Sequence, residues 1–469
     1  MHNYYLTKER MKMKMKKVLT ALLASIMVLS MTACGTSTTT GTTAAGTTAA
    51  GTTAAGTTAA GTTAAGTTAA ETTAAGVTDT GITLEFQQWW AVEAPPGYVQ
   101  NICDNFYKET GITVKLLSAP FSDTKTAIVS GATTGTVADL VSVDGSWVYD
   151  FADQGLLTDM SALLKADGYD QTQVNSQWQA KGTTYCLPVV SFAYPMFANM
   201  DILKDCGIAE LPKTWSEFEA DCKIIKDKGY YPFALNLDTA SPSGIQNTYM
   251  GFAWASGINM KDDTGAYKIA GNEGLKTFAA FMKGLNDSGY ILPGMSSMTE
   301  PDMTSNFSSG KLAFVINSMA TLASYRKDAP NMNISAAAIP VQDGYTGKSG
   351  MCVASWAVGI TENSKHKAEA MKFLEYLFTP ELNADLAVTQ SAFPGSALAK
   401  PDYGKADQVF LDVFDMYQKG YPINEFIGMK EANTFMTDYI NELIPYMDGS
   451  VDADTYLQNV QSAIDKIYN

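Results

Sequence analysis

Two indoles and a carboxylate, Trp89, Trp90 and Glu93, follow directly on an alternating apolar stretch at 82–86. A second loop repeats the pattern: Asp144 and Trp147 come straight after the apolar run 138–143. Trp254 stands in a Gly- and Ser-rich stretch, and Trp356 lies within a long apolar segment at 353–360. Flat rings offer faces to the C–H side of a sugar, and carboxylates accept hydrogen bonds from its hydroxyls. Ligands of open parallel sheets sit where strands run out, which is where the first two groups fall. Each residue also has a plain structural role. The tryptophans suit a core, Glu93 a solvated loop, and Asp144 beside Gly145 a turn.

Other chemistries lack their parts. His366 is the single histidine after residue 33, and no G-x-S-x-G nucleophile pattern occurs. Histidine triads and multi-imidazole zinc sites are therefore not expected. Asp262-Asp263-Thr264-Gly265 reads as a turn between strands, since a calcium loop needs ligands over about twelve positions. A glycosidase needs two carboxylates across the scissile bond, a separation that sequence does not measure. We expect neither an enzyme nor a cofactor.

Arg326 is the only arginine beyond residue 33, and phosphate or carboxylate recognition favours the guanidinium fork. The composition favours a neutral mono- or oligosaccharide, with a polyamine as the cationic alternative. Without residues 1–33 the chain carries 26 Lys plus Arg against 47 Asp plus Glu, a net charge of −21. That balance argues against nucleic acid and anionic bilayers as partners.

The amino terminus sets the compartment. Lys12, Lys14, Lys16 and Lys17 precede a short apolar run that ends in Thr32-Ala33-Cys34. A basic flank, a short apolar core and a small-residue exit make an export signal, here 1–33. The terminal cysteine resembles a bacterial lipoprotein box, which makes Cys34 the lipidated first residue, holding the chain at the outer face of the membrane. Six copies of GTTAA fill residues 41–70, followed by Glu71-Thr72-Thr73-Ala74-Ala75. Such a sequence has no apolar face to bury. Residues 34–79 are read as a lipidated cysteine and a flexible tether, with a root-mean-square reach of roughly 35 to 40 Å. The five later cysteines lack metal-like spacing, and Cys222 falls on one face with Trp215, Phe218 and Ile225, as a core thiol.

Residues 80–469 exceed the usual single core, so two lobes are expected. Strand patterns at 82–86, 112–117 and 138–143 alternate with helix patterns at 98–110 and 122–130, predicting a parallel α/β sheet covered on both faces. Thr214-Trp215-Ser216-Glu217 is a capping box, and Pro380 suits a first helical position. Short strands are predicted at 314–316 and 353–360, an amphipathic helix at 365–377, and a mainly helical tail from 409.

The order of these elements resembles the sugar-binding group of extracellular solute-binding proteins of bacterial ABC importers, the group that includes maltose-binding protein. The matching stretches are FYKETGITV at 106–114, ADLV through DQGLLTDM at 138–160, 187–199 with the capped helix at 214, and 310–314 with 353–380. The resemblance implies a type II periplasmic-binding-protein-like fold with a hinged cleft. Lobe one is then 80–190 with 345–378, and lobe two 191–344 with 379–469. It implies that the loops of Trp89, Trp90, Glu93, Asp144 and Trp147, with Trp254 and Trp356, face the cleft, and that Asn199 and Asn317 occupy polar positions near the crossings. It also implies ABC permease subunits as partners. An adhesion or structural lipoprotein would share the tether without needing a cleft that closes.

Overall fold

The computed structural model describes residues 77–468. The chain divides into two units, Met1–Thr72 and Thr73–Asn469. The export signal, Cys34 and the tether up to residue 76 lie outside the described residues.

Eleven strands build two sheets. The strands are β1 (Thr83–Gln88), β2 (Thr113–Ser118), β3 (Leu140–Val143), β4 (Trp178–Ala180), β5 (Thr183–Ala193) and β6 (Met196–Asn199). They continue as β7 (Phe314–Ile316), β8 (Ile334–Ala337), β9 (Gly350–Ile360), β10 (Phe393–Pro394) and β11 (Tyr421–Ile423). The larger sheet runs β10-β5-β9-β3-β1-β2. Strands β1, β2 and β3 are parallel, as the strand–helix alternation predicts, while β9 enters antiparallel between β3 and β5. The smaller sheet, β7-β6-β8, is antiparallel throughout.

Helices Tyr98–Thr110 and Phe121–Thr134 connect the parallel strands. The first buries Val99, Ile102, Cys103 and Phe106 and ends at Gly111, whose φ of 71° a side chain would strain. The capping box at Thr214 forms on helix Trp215–Asp227, whose buried face is Trp215, Phe218, Cys222 and Ile225. The five cysteines of the body are free thiols. In the 262–265 turn, Asp262 accepts from the backbone and hydroxyl of Thr264.

Two lobes follow from how the cores divide. One core gathers Leu84, Phe86, Trp90, Leu140, Val190, Trp356 and Val358 around the larger sheet. The other lobe packs Trp215, Phe218, Trp254, Tyr439 and Tyr456 on one side, and Phe197, Phe307, Tyr325 and Phe410 on the other. The long strands β5 and β9 bridge them. On β9, Trp356 belongs to the first core, whereas Cys352 and Met351 belong to the two clusters of the second lobe. The expected boundary at residue 378 is too early. Helix Pro380–Thr389 buries Leu386 and Ala387 in the first core, and Asn383 donates to the Val189 carbonyl of β5.

Candidate functional site

The segments that follow β1, β3 and β5 at their carboxyl ends carry the polar groups of the candidate site. After β1, Gln88 donates to Ser118 Oγ and accepts from the Ala91 N–H, which fixes the start of a single helical turn, Trp90–Glu93. The turn lays Trp90 flat against Trp356 of β9, with centroids 5.2 Å apart and planes 11° from parallel. Trp90 Nε1 donates to Ser142 Oγ at 2.7 Å, and Trp356 Nε1 donates to a Glu93 carboxylate oxygen at 3.0 Å. The indole pair thus fixes the Glu93 carboxylate at the end of the turn after β1.

Tyr194 follows β5 at the first crossing and is 7% exposed. Its phenol is held well above the usual range by burial, with Glu300, Cys352, Asp144 and Glu93 adding to the effect. Glu300 comes from the opposite lobe, on the first turn of helix Glu300–Ser308, which Thr299 caps. Burial among protein atoms lifts Glu300 to about 7. Glu93 is likewise raised to about 7 by burial, with Glu300 pushing the same way and the Trp356 hydrogen bond opposing.

Asp144 opens the loop after β3. It accepts from Ser146 N at 2.9 Å and Ser146 Oγ at 2.6 Å. Burial raises its pKa, against the Ser146 bonds and the charge of Lys125. Lys125 lies 5.4 Å from the centre of the Trp147 ring. Beyond it, Asp150 accepts from the Glu431 N–H at 2.8 Å, and Asn433 Nδ2 lies 3.3 Å from Ser146 Oγ. These contacts tie the loop after β3 to the last crossing and to helix Ala432–Met447.

The structure places most of the expected ligand contacts within protein packing. Trp89, Trp90, Trp147, Trp254 and Trp356 are each no more than 4% exposed, so none offers an open ring face. Trp89 and Trp147 pack with Phe121. Trp254 lies in the second lobe's core and donates to Glu425, which also accepts from the Met260 and Lys261 N–H groups. Asn199 caps helix Met200–Cys206 through the Asp201 and Ile202 N–H groups. Asn317 is buried and spends its amide on Thr304, Tyr325 and the Ser318 N–H. Glu93 and Asp144 stand after β1 and β3, each held by a side-chain hydrogen bond.

Tyr194 and Glu300 escaped the sequence reading. Tyr194 sits at a strand's carboxyl end just before Pro195, the same positional signal that marked Trp89. Glu300 has no such mark. Arg326, by contrast, is committed to Asp407 through two hydrogen bonds of 2.7 and 3.0 Å.

A separate cavity of about 510 Å³ lies on the opposite face of β5 and β9, lined by Ser191, Ser355, Phe393, Tyr417 and Asn424 among others. No group of three or more His, Cys, Asp or Glu is placed to hold a metal ion among the described residues. No helix among them is long and apolar enough to cross a membrane.

A family model described as bacterial extracellular solute-binding protein matches residues 90–384. A binding protein of Brucella abortus (strain 2308), so described without a ligand, is 27% identical over 317 residues, covering 65% of this chain and 74% of its own. The multiple sugar-binding protein of Streptococcus mutans serotype c is 23% identical over 301 residues, covering 60% of this chain and 68% of its own. Among solved structures, the GacH receptor of Streptomyces glaucescens superposes with a TM-score of 0.68 at 19% identity, over 82% of this chain and 98% of that one. The shared architecture is the two-lobed α/β periplasmic-binding-protein-like fold.

Proposed function

Because this chain belongs to the bacterial extracellular solute-binding proteins, we propose that it captures a small sugar or oligosaccharide between its lobes and delivers it to an ABC permease. It is a binding protein rather than an enzyme. What supports the sugar reading is the pair of polar side chains fixed at the strand ends, Glu93 by Trp356 and Asp144 by Ser146, in a chain of this family. A ligand touching both walls favours closure, because some of its contacts exist only in the closed state. The related proteins bear on the ligand class. The Streptococcus mutans relative is named for multiple sugars, and the GacH receptor was crystallised in complex with acarbose.

A neutral ligand is favoured over a phosphate or carboxylate, because Arg326 is already paired with Asp407. The moving bodies in this reading are 80–190 with 345–392, and the remainder of the folded chain. Lipid on Cys34 and the tether to residue 79 keep the receptor near its permease on the outer face of the membrane. Mass spectrometry of the membrane fraction tests the anchor: Cys34→Ala abolishes the lipid adduct and releases the protein. Calorimetry over mono- and oligosaccharides tests the ligand class, and no heat with any carbohydrate contradicts it.

A further inference from the structure

The cavity behind the crossing strands plays no part in sugar capture, yet its walls have a definite chemistry. Ser191 of β5 stands opposite Ser355 of β9 in the strand register, and their hydroxyls meet at 2.8 Å where both residues line the cavity. Side chains alternate across a strand, so Phe192 points to the other face. There it packs on Trp356, whose Nε1 holds Glu93. The cavity and the candidate sugar site thus lie back to back on the same two strands. Rings form much of the cavity wall. Phe393 of β10 stacks on Tyr417 of helix Gln408–Lys419, with centroids 4.1 Å apart and planes 17° from parallel. Trp178 of β4 adds an indole, and Val353, Ile423 and Ile427 add aliphatic surface. No Asp, Glu, Lys, Arg or His is among the described residues that line the space. Two of its amides are already engaged: Asn424 Nδ2 donates to the Val353 carbonyl at 3.1 Å, and Asn175 Nδ2 to that of Pro394 at 2.8 Å. In the serine pair one hydroxyl donates to the other, which leaves one proton and the remaining lone pairs for a third group.

We propose that this cavity is a second binding site, for a neutral aromatic molecule that carries a hydroxyl or a ring N–H. The proposal goes beyond sugar capture and does not depend on it. At about 510 Å³ the space falls within the range of ordinary small-molecule sites, about 300–1,000 Å³. A flat ring suits walls built of rings, through offset or edge-to-face contact. One hydrogen bond to the Ser191 and Ser355 pair orients it. A charged ligand would lose its hydration and meet no opposite charge in exchange. A sugar would bring a rim of hydroxyls, most of them laid against apolar side chains.

Ligand-observed NMR and calorimetry with the full chain test this, using three indoles of one skeleton. Tryptophol is neutral and carries a hydroxyl, tryptamine is its cationic analogue, and indole-3-acetate is its anionic one. Tryptophol is expected to bind with a Kd of about 1 mM or tighter, and both charged indoles at least about tenfold more weakly. Ser355→Ala removes one hydroxyl of the pair. It is expected to weaken tryptophol about three- to tenfold and to leave sugar affinity within about twofold, the size of one hydrogen bond lost at one site only. Val353→Phe fills the space from β9 and is expected to abolish tryptophol binding, with circular dichroism to check that the variant is folded. Absence of tryptophol binding to the parent protein overturns the proposal, and so does equal affinity for the three indoles. An affinity that neither substitution changes places tryptophol elsewhere and overturns it too. None of these results touches sugar capture, which fails instead when no carbohydrate binds.

Discussion

Trp356 Nε1 donates to the Glu93 carboxylate at 3.0 Å, joining β9 to the loop after β1 across 263 residues of sequence. The bond makes Trp356 a positioning residue. Its ring already stacks on Trp90 and touches Phe192, so the protein uses both its face and its edge. Trp356→Ala is expected to lower folding stability by about 3–5 kcal/mol, as for other buried aromatic truncations. Trp356→Phe keeps much of the packing but removes the donor. Chemical denaturation and calorimetry on both variants separate the roles: the Phe variant folds well yet binds ligand several-fold more weakly. Unchanged affinity would show that Glu93 needs no fixing.

Glu93 and Glu300 set a pH dependence of definite sign. Both carboxyls are raised to about 7, above the ordinary carboxylate range, chiefly by burial. Each is easier to protonate in the folded protein than in the unfolded chain. Their contribution to stability is therefore complete below the unfolded value, about 4.3, and is lost as pH rises through about 7. The ligand-free protein should melt at a lower temperature at about pH 8 than at about pH 5.5. Glu93→Gln with Glu300→Gln flattens that slope. A melting curve with the same slope in the double variant would place the titration elsewhere.

Arg326 offers a control. It pairs with Asp407, and both side chains keep more than a quarter of their surface in solvent. Exposed pairs of this kind contribute about 0–1 kcal/mol. Arg326→Met is expected to leave ligand affinity unchanged and to cost about 1 kcal/mol or less by urea denaturation. A large loss of affinity would reopen the case for an anionic ligand.

Glu425 anchors the last crossing to the second lobe, where it is nearly buried and accepts three N–H donors, from Trp254, Met260 and Lys261. Glu425→Ala strands those donors. Each buried unsatisfied group costs about 1–3 kcal/mol, so a loss of at least about 3 kcal/mol is expected, read by thermal or urea unfolding. Glu425→Gln keeps one acceptor oxygen and should fall between the alanine variant and the parent.

Much of the fold was legible locally. The 3.6-residue spacing of Ile102 and Phe106, the box at Thr214 and the proline at 380 each act within one or two turns, so sequence neighbours suffice to read them. The lobe boundary was less legible, because Leu386 and Ala387 face the first core only once β5 and β10 are placed. The site was read least well. A tryptophan at a strand end has the same sequence appearance whether its face meets sugar or another indole, and Trp90 with Trp356 shows the second outcome.

The central claim is that carbohydrate binds on the Glu93 and Tyr194 face of the crossing strands. The most direct measurement is a crystal structure with the tightest carbohydrate from the calorimetric screen. The account predicts a sugar bridging the lobes, with polar atoms in hydrogen-bond reach of Glu93, Tyr194 and Glu300. A sugar seated instead behind β5 and β9, against Ser191, Ser355 and Tyr417, would contradict it.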